Sequence, residues 1–394
     1  MPLAVYVLGM SAFALGTSEF MLSGLLPFVA DDLGVSVSRA GLLVSAFAIG
    51  MVVGAPVLAA TTLRVPRRIT LAGLLLVFAL GHAVGALTSS YGVLFASRVV
   101  SALACAGFWA VGAATAVGMV PEDRRGRAMA VLVGGLTVAN ILGVPAGAFV
   151  GQHASWRVAF WGVGAIAVLA VLGVLRFVPE GSNSRGSEPL LRAELRAYRD
   201  GEVWLALATT ALVSAGIFCA FSYLAPVLTD VAGLSGDSVP WVLALFGIGA
   251  FAGITVGGRL TDRHPFAVLK AGTGAVAVLL AVLALAPRAD LIVPLVFLFG
   301  VAGFAISPAL NARVYGLAGD APTLAGATNV AAFNVGNTVG PWFGGLLIDA
   351  GAGYAAVGWA GAALSATALA LVFLSQAARR RSVAEQPAHC GTGA

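Results

Sequence analysis

Apolar residues run through this chain in long stretches broken by short polar or turn-forming clusters, and twelve of those stretches are of membrane-crossing length. A transmembrane helix needs about 20 mostly apolar residues. The stretches predict helices over 3–26, 39–61, 70–89, 92–118, 126–150 and 157–178, then over 203–228, 239–258, 266–287, 290–314, 323–348 and 353–375. Between the two sets, Glu180 to Glu202 carries too many charges to span and predicts a central loop with a short surface helix from Glu188 to Arg199. The expected organisation is a first six-helix half over 1–179, a loop over 180–202, a second half over 203–378 and a tail over 379–394. Met1 to Leu26 lacks a basic start and is too long for a secretory leader, so it reads as the first span.

Composition agrees with a lipid-solvated chain. Hydrophobic residues make 59%, charged residues 10%, and mean hydropathy is +0.97. Soluble domains carry about 25% charged residues, and a globule this poor in polar residues cannot cover its outside. A soluble enzyme and a disordered tail protein are therefore excluded. Cys105, Cys219 and Cys390 show no paired spacing, and the four histidines no metal-ligand spacing, so no disulfide framework, metal or cofactor is expected. With the N-terminus inside, eighteen of the 22 basic residues flank the spans on that side, while Arg39, Arg157 and Arg288 lie on the other. This bias places both termini in the cytoplasm. It makes the +5 net charge a matter of topology and gives no ground for nucleic-acid binding.

The two sets of spans repeat each other. At a shift of 199 residues, Pro27, Asp31, Gly34, Ser36, Phe47, Ile49, Gly50, Gly54, Arg64 and Pro66 meet Pro226, Asp230, Gly233, Ser235, Phe246, Ile248, Gly249, Gly253, Arg263 and Pro265. Identities at Arg, Asp and Pro do not follow from shared apolar composition.

Local motifs narrow the reading. After the second span come Arg64, Arg67 and Arg68, with Leu63 where an acidic residue would complete a Gly-x-x-x-Asp-Arg loop. The matching loop of the second half has Gly258, Asp262 and Arg263. The fifth span carries Gly143, Pro145, Gly147 and Gly151, whose four-residue spacing lets a neighbouring backbone approach one helix face. The eleventh carries Gly336, Gly340, Pro341, Gly344 and Gly345. On these loops and glycine rows the chain resembles the major facilitator superfamily over nearly its whole length. The strings Gly16-Thr17-Ser18-Glu19-Phe20-Met21, Ser45-Ala46-Phe47-Ala48-Ile49-Gly50-Met51 and Gly143-Val144-Pro145-Ala146-Gly147 make it similar to the twelve-helix drug:proton antiporter branch, and to the chloramphenicol-resistance efflux proteins of actinomycetes within it. The resemblance implies an all-α membrane protein of twelve helices in two pseudo-symmetric halves. It implies gating roles for Arg64, Arg67, Arg68, Gly143, Pro145, Gly147, Gly258, Asp262 and Arg263. On physical grounds Asp262 is free to pair with Arg124, Arg125 or Arg127, or with the positive N-terminal end of the fifth span.

Two charges stand apart from the loops. Glu19 is the only acidic residue well inside a predicted span and Arg98 the only basic one, and each lies about 10 Å below the outer end of its helix, level with His82. Ionisable groups at such depth cost about 2.5–3.5 kcal/mol on insertion scales and mark functional sites. Glu19 is expected to carry a coupled proton and Arg98 to stabilise its ionised form, with His82 either a relay or a packing residue. In the repeat register Glu19 meets Phe218, so the second half offers neutral groups instead. Phe108, Trp109, Phe218, Phe221, Tyr223, Phe333 and Asn334 are the expected contacts for an uncharged aromatic, hydroxylated substrate, in a mostly apolar site. The expected activity is proton-coupled efflux of chloramphenicol by a monomer in the bacterial inner membrane, with drug, protons and the bilayer as partners. Export of a sugar or another antibiotic is the alternative. An enzyme or receptor is disfavoured because no cofactor motif or soluble catalytic domain is present, and uptake by symport because of the glycine row in the fifth span.

Overall fold

The computed structural model of the protein describes residues 1–61, 65–180, 201–285, 289–318 and 322–384. Those residues form twelve long helices and no strand. They are α1 (Leu3–Leu33), α2 (Val37–Thr61), α3 (Arg67–Leu87), α4 (Tyr91–Gly118), α5 (Glu122–His153) and α6 (Trp156–Phe177), followed by α7 (Gly201–Phe221, resumed over Leu224–Pro226 and Val227–Val231). After these come α8 (Val239–Thr261), α9 (Pro265–Leu285), α10 (Asp290–Leu317), α11 (Pro322–Asp349) and α12 (Ala355–Ala384). Among the described residues eleven of the twelve are long and apolar enough to cross a membrane. The exception, α11, has the length at 28 residues, but its asparagines and glycines lower its hydropathy. The short helix expected over Glu188 to Arg199 falls outside the described residues. Leu80, Leu169, Leu172, Val278 and Leu374 are exposed on the outside of the bundle, where only lipid can cover them.

α1 runs seven residues past the expected end, with Pro27 inside it. It stops at Gly34, which takes the left-handed conformation (φ 61°) while the next amide, of Val35, donates back to the Ala30 carbonyl. Gly233, the repeat partner of Gly34, also has positive φ (69°). The register holds at helix crossings as well. A Cβ on Gly50 or Gly54 of α2 would strike Val99, Ala102, Leu103 or Ala106 of α4, and one on Gly249 or Gly253 of α8 would strike Phe297, Val301 or Ala305 of α10. The sequence repeat is thus a repeat of backbone packing.

Contacts between the first six helices and the last six follow the same symmetry. α2 packs along α11, α5 packs on α8, and the continuation of α7 packs on α1. In α5 a π turn over Ala139–Gly143 precedes Pro145, which has no amide hydrogen and whose ring displaces the carbonyl four residues back. That widened turn meets α8: a Cβ on Gly247 would lie 2.6 Å from the Asn140 carbonyl oxygen and 2.7 Å from the Ile141 Cα.

Candidate functional site

The polar groups of the first six helices gather around α1. Arg98, only 1% exposed, donates from Nη1 to Ser18 Oγ (2.7 Å) and from Nη2 to the Ser18 carbonyl (3.0 Å), and its guanidinium lies over the Phe47 ring at 4.4 Å. Its Nε is buried without a partner among the described residues. His82, equally buried, places Nε2 2.8 Å from Ser18 Oγ and Nδ1 2.8 Å from the Phe78 carbonyl, between the rings of Phe78 and Phe160. A carbonyl only accepts, so Nδ1 carries the hydrogen. On a neutral His82 the other ring nitrogen then accepts, so the Ser18 hydrogen points to Nε2 while the Ser18 oxygen accepts from Arg98.

Glu19 does not join it. It is partly exposed, and no ion pair within 4.0 Å links it to Arg98. Successive residues on a helix point about 100° apart, so with Ser18 facing α3 and α4 its neighbour is turned away. Ser18 is the residue that sequence reasoning passed over. A serine inside a span is unremarkable by itself, because its hydroxyl can bond a carbonyl one turn back, as Ser11 does with Val7.

The expected substrate contacts lie in four different settings. Phe218 and Phe221 belong to an aromatic run from α1 to α10: Phe20 to Phe218 at 6.1 Å, Phe218 to Phe221 at 5.8 Å, Phe221 to Phe246 at 4.5 Å and Phe246 to Phe299 at 5.3 Å. Phe108 is fully buried on α4, while Trp109 beside it and Phe333 of α11 are partly exposed. Tyr223 is fully buried at the break in α7, donates to the Pro341 carbonyl (2.8 Å) and sits against Gly41, Gly344 and Gly345. Asn334 donates from Nδ2 to the Val330 carbonyl, and its Oδ1 is buried with no partner among the described residues. Nearby side chains on α7, α10 and α11 satisfy one another. Thr210 and Asn311 bond Asn329, and Ser214 donates to Asn337.

The expected gating residues are spread over the bundle. Gly143, Gly147 and Gly151 face Thr17, Met21 and Leu25, so the glycine row of α5 is the bed on which α1 lies. Arg67 reaches the Ala114 carbonyl (3.4 Å). Arg68 pairs with Glu180 (2.5 Å) and the Leu175 carbonyl, tying α3 to the end of α6. Arg64 lies outside the described residues. Gly258 has open space around it, and Arg263 follows the Asp262 cap of α8. The ion pair expected of Asp262 with Arg124, Arg125 or Arg127 is corrected: Asp262 makes no ion pair among the described residues. Glu122 holds Arg125 (2.8 Å) and Asp123 lies 3.6 Å from Arg124. The physical reason is that α5 packs on α8 through 139–153, whereas its first part packs on α1 and α4. A second correction concerns Arg313, read as a flanking residue. It is buried on α10, where it donates to Ser375 of α12 and faces the Phe266 ring at 5.8 Å.

Contacts between the two sets of six helices concentrate at the end where α1 meets α2. Ser38 of α2 donates to Asp349 of α11, Ser45 donates to the Thr338 carbonyl (2.7 Å), and Gln152 of α5 donates to the Gly236 carbonyl ahead of α8. That end is closed.

Comparison with known proteins agrees with this architecture. The profile of the Major Facilitator Superfamily matches residues 8–333. The chain is 46% identical over 376 residues to the chloramphenicol resistance protein of Streptomyces lividans, covering 95% of this chain and 96% of that one. It is 34% identical over 369 residues to the inner membrane transport protein YdhP of Escherichia coli K12, covering 93% and 94%. Among solved structures, the nucleoside transporter NupG superposes with a TM-score of 0.79 at 14% identity, covering 95% and 98%. A bacterial homologue of the lysosomal transporter Spinster, inward-facing and occupied, superposes with a TM-score of 0.73 at 17% identity, covering 95% and 96%. With the family profile spanning most of its length, on a bundle of twelve helices, the chain belongs to the major facilitator superfamily of membrane transporters.

Proposed function

We propose that this transporter expels chloramphenicol from the bacterial cytoplasm in exchange for protons. The coupling rests on one observation: Glu19 is a carboxyl inside a span, partly exposed, next in sequence to the residue that fixes a buried cation, and it has no ion-pair partner among the described residues. Such a group can take or lose a proton as its access to water changes. The substrate rests on the 46% identity to a chloramphenicol resistance protein. The neutral character of Asn334, Phe333 and Trp109 supports it, since an uncharged substrate needs no counter-charge. The basic residues flanking the spans put both termini and the central loop in the cytoplasm. The closed end then faces outward, and drug enters from the cytoplasmic side between two six-helix halves, over 1–179 and 203–378, acting as a monomer in the cell membrane. Arg67, Arg68, Asp262 and the α5 glycines act in gating, and His82 supports Arg98.

The test is chloramphenicol-driven proton movement in inverted vesicles containing the full chain, with Glu19→Gln beside it. Export that keeps its proton dependence in Glu19→Gln refutes the coupling. A panel with sugars and other antibiotics decides the substrate: vesicles that answer to one of those compounds and not to chloramphenicol refute that part.

A further inference from the structure

Arg98 is a buried cation with no carboxylate partner among the described residues, and both hydrogen bonds of its guanidinium end on one residue, Ser18. Ser18 is itself 0% exposed. Its hydroxyl is fully committed, accepting from Arg98 and donating to His82 Nε2, while the His82 Nδ1 hydrogen is committed to the Phe78 carbonyl. The charged and titratable groups facing this point are Glu19 on α1, His82 on α3, and Arg98 and Cys105 on α4. A cation held this firmly, one residue from a carboxyl it does not pair with, is stored.

We propose that Ser18 is the positioning residue for proton coupling, a docking point that holds Arg98 away from Glu19 while Glu19 is protonated. When the Glu19 O–H bond breaks, its proton passes to water at its partly exposed side, and the carboxylate that remains draws the guanidinium off Ser18. Ser18 and His82 stay neutral throughout, with His82 fixing the direction in which the Ser18 hydroxyl points. The Ser18–Arg98 bonds and a Glu19–Arg98 pair are thus alternatives. This inference rests on the reading of Glu19 as the proton carrier, yet it can be tested without any substrate.

The experiment follows the carboxylic-acid stretch of Glu19 by infrared difference spectroscopy on the purified full chain, assigned by its loss in Glu19→Gln and titrated with pH. Ser18→Ala takes away the hydroxyl that competes for Arg98, so the band is expected to titrate about one unit toward acid, a roughly tenfold change in the proton equilibrium. Ser18→Thr, which keeps the hydroxyl, should restore the midpoint to within a few tenths of a unit. His82→Leu should move it in the same direction as Ser18→Ala and add nothing to it, because it acts through Ser18. An unchanged midpoint in both Ser18→Ala and His82→Leu overturns the inference. So does the absence of any band lost in Glu19→Gln. A band that shifts as expected in a protein that moves no protons with chloramphenicol leaves the positioning role standing and removes the export reading.

Discussion

Replacing Gly247 by alanine should push the transporter out of the conformation described here. A Cβ at that position would lie 2.6 Å from the Asn140 carbonyl oxygen, roughly 0.8 Å inside the 3.4 Å at which ordinary contact begins, and 2.7 Å from the Ile141 Cα. Both targets are backbone in the π turn of α5, so no side chain can swing aside. Overpacking of this kind costs about 1–3 kcal/mol. The contact joins α5 to α8 at the closed end, so an opening of that end relieves the clash. Taking about 2 kcal/mol, and tenfold for each 1.4 kcal/mol, the ratio of closed to open molecules falls roughly 30-fold. The control is Gly50→Ala, whose Cβ would meet the Val99 carbonyl and Ala102 Cβ at 2.6 Å. That clash lies between α2 and α4, in the first six helices, and persists in either conformation, so it lowers stability without shifting the balance. The assay is the spin-label distance between Ala154, after α5, and Asp237, before α8, on a background lacking Cys105, Cys219 and Cys390. A distance distribution that Gly247→Ala leaves unchanged, with a melting temperature lowered as in Gly50→Ala, refutes the reasoning.

Other substitutions separate packing from function. Tyr223→Phe deletes the bond to the Pro341 carbonyl; both residues lie in the last six helices, so the loss of about 1 kcal/mol should lower the melting temperature while leaving the same distance measurement unchanged. Asn329→Ala takes the donor from Asn311 Oδ1 and leaves the Thr210 hydroxyl with only its bond to the Ala206 carbonyl, and thermal denaturation in detergent should show a loss of about 1–3 kcal/mol. Arg68→Ala removes a pair whose Glu180 partner is 80% exposed, so stability should change by less than about 1 kcal/mol.

Much of the bundle was legible in the sequence because lipid imposes one requirement, an apolar run of fixed length, on every span. The misreadings have local causes. α1 overruns its expected end because Pro27 is tolerated inside a long helix, and Asp31 and Asp32 belong to its last turn. Asp32 finds partners in Arg157 and the Trp156 indole, which makes a polar helix end affordable there. The π turn before Pro145 left no trace in the pattern of polar and apolar positions, since a single extra residue in one turn does not alter a run that is apolar all round. Arg313 was misplaced because a basic residue near a helix end looks alike whether it faces water or, as here, a serine and an aromatic ring. Glu19 and Arg98 were found because charge inside a span is rare; the hydroxyl between Arg98 and His82 was missed because serine inside a span is not.

The two halves of the repeat differ most where function requires it. Backbone features are shared down to matched glycines: Gly34 with Gly233 at positive φ, Gly50 with Gly249 and Gly54 with Gly253 at helix crossings. Side chains in the interior are not. Around α1 stand an acid, a fixed cation and a neutral histidine; around α7 and α11 stand asparagines and hydroxyls that neutralise one another by hydrogen bonds. On the proposed reading, protons are handled in the first half and an uncharged drug is met by the second. Such a division needs a mechanical link, and the repeat puts one at hand. Phe218, the counterpart of Glu19, stacks on Phe20, the residue after Glu19, and continues through Phe221 to Phe246 of α8. A rotation of α1 that exchanged Ser18 for Glu19 beside Arg98 would turn Phe20 against Phe218. Phe20→Ala should then leave the Glu19 infrared titration within a few tenths of a unit of its normal midpoint while cutting drug-driven proton movement at least tenfold. Equal loss of both would place Phe20 in the proton site itself and dissolve the division of labour.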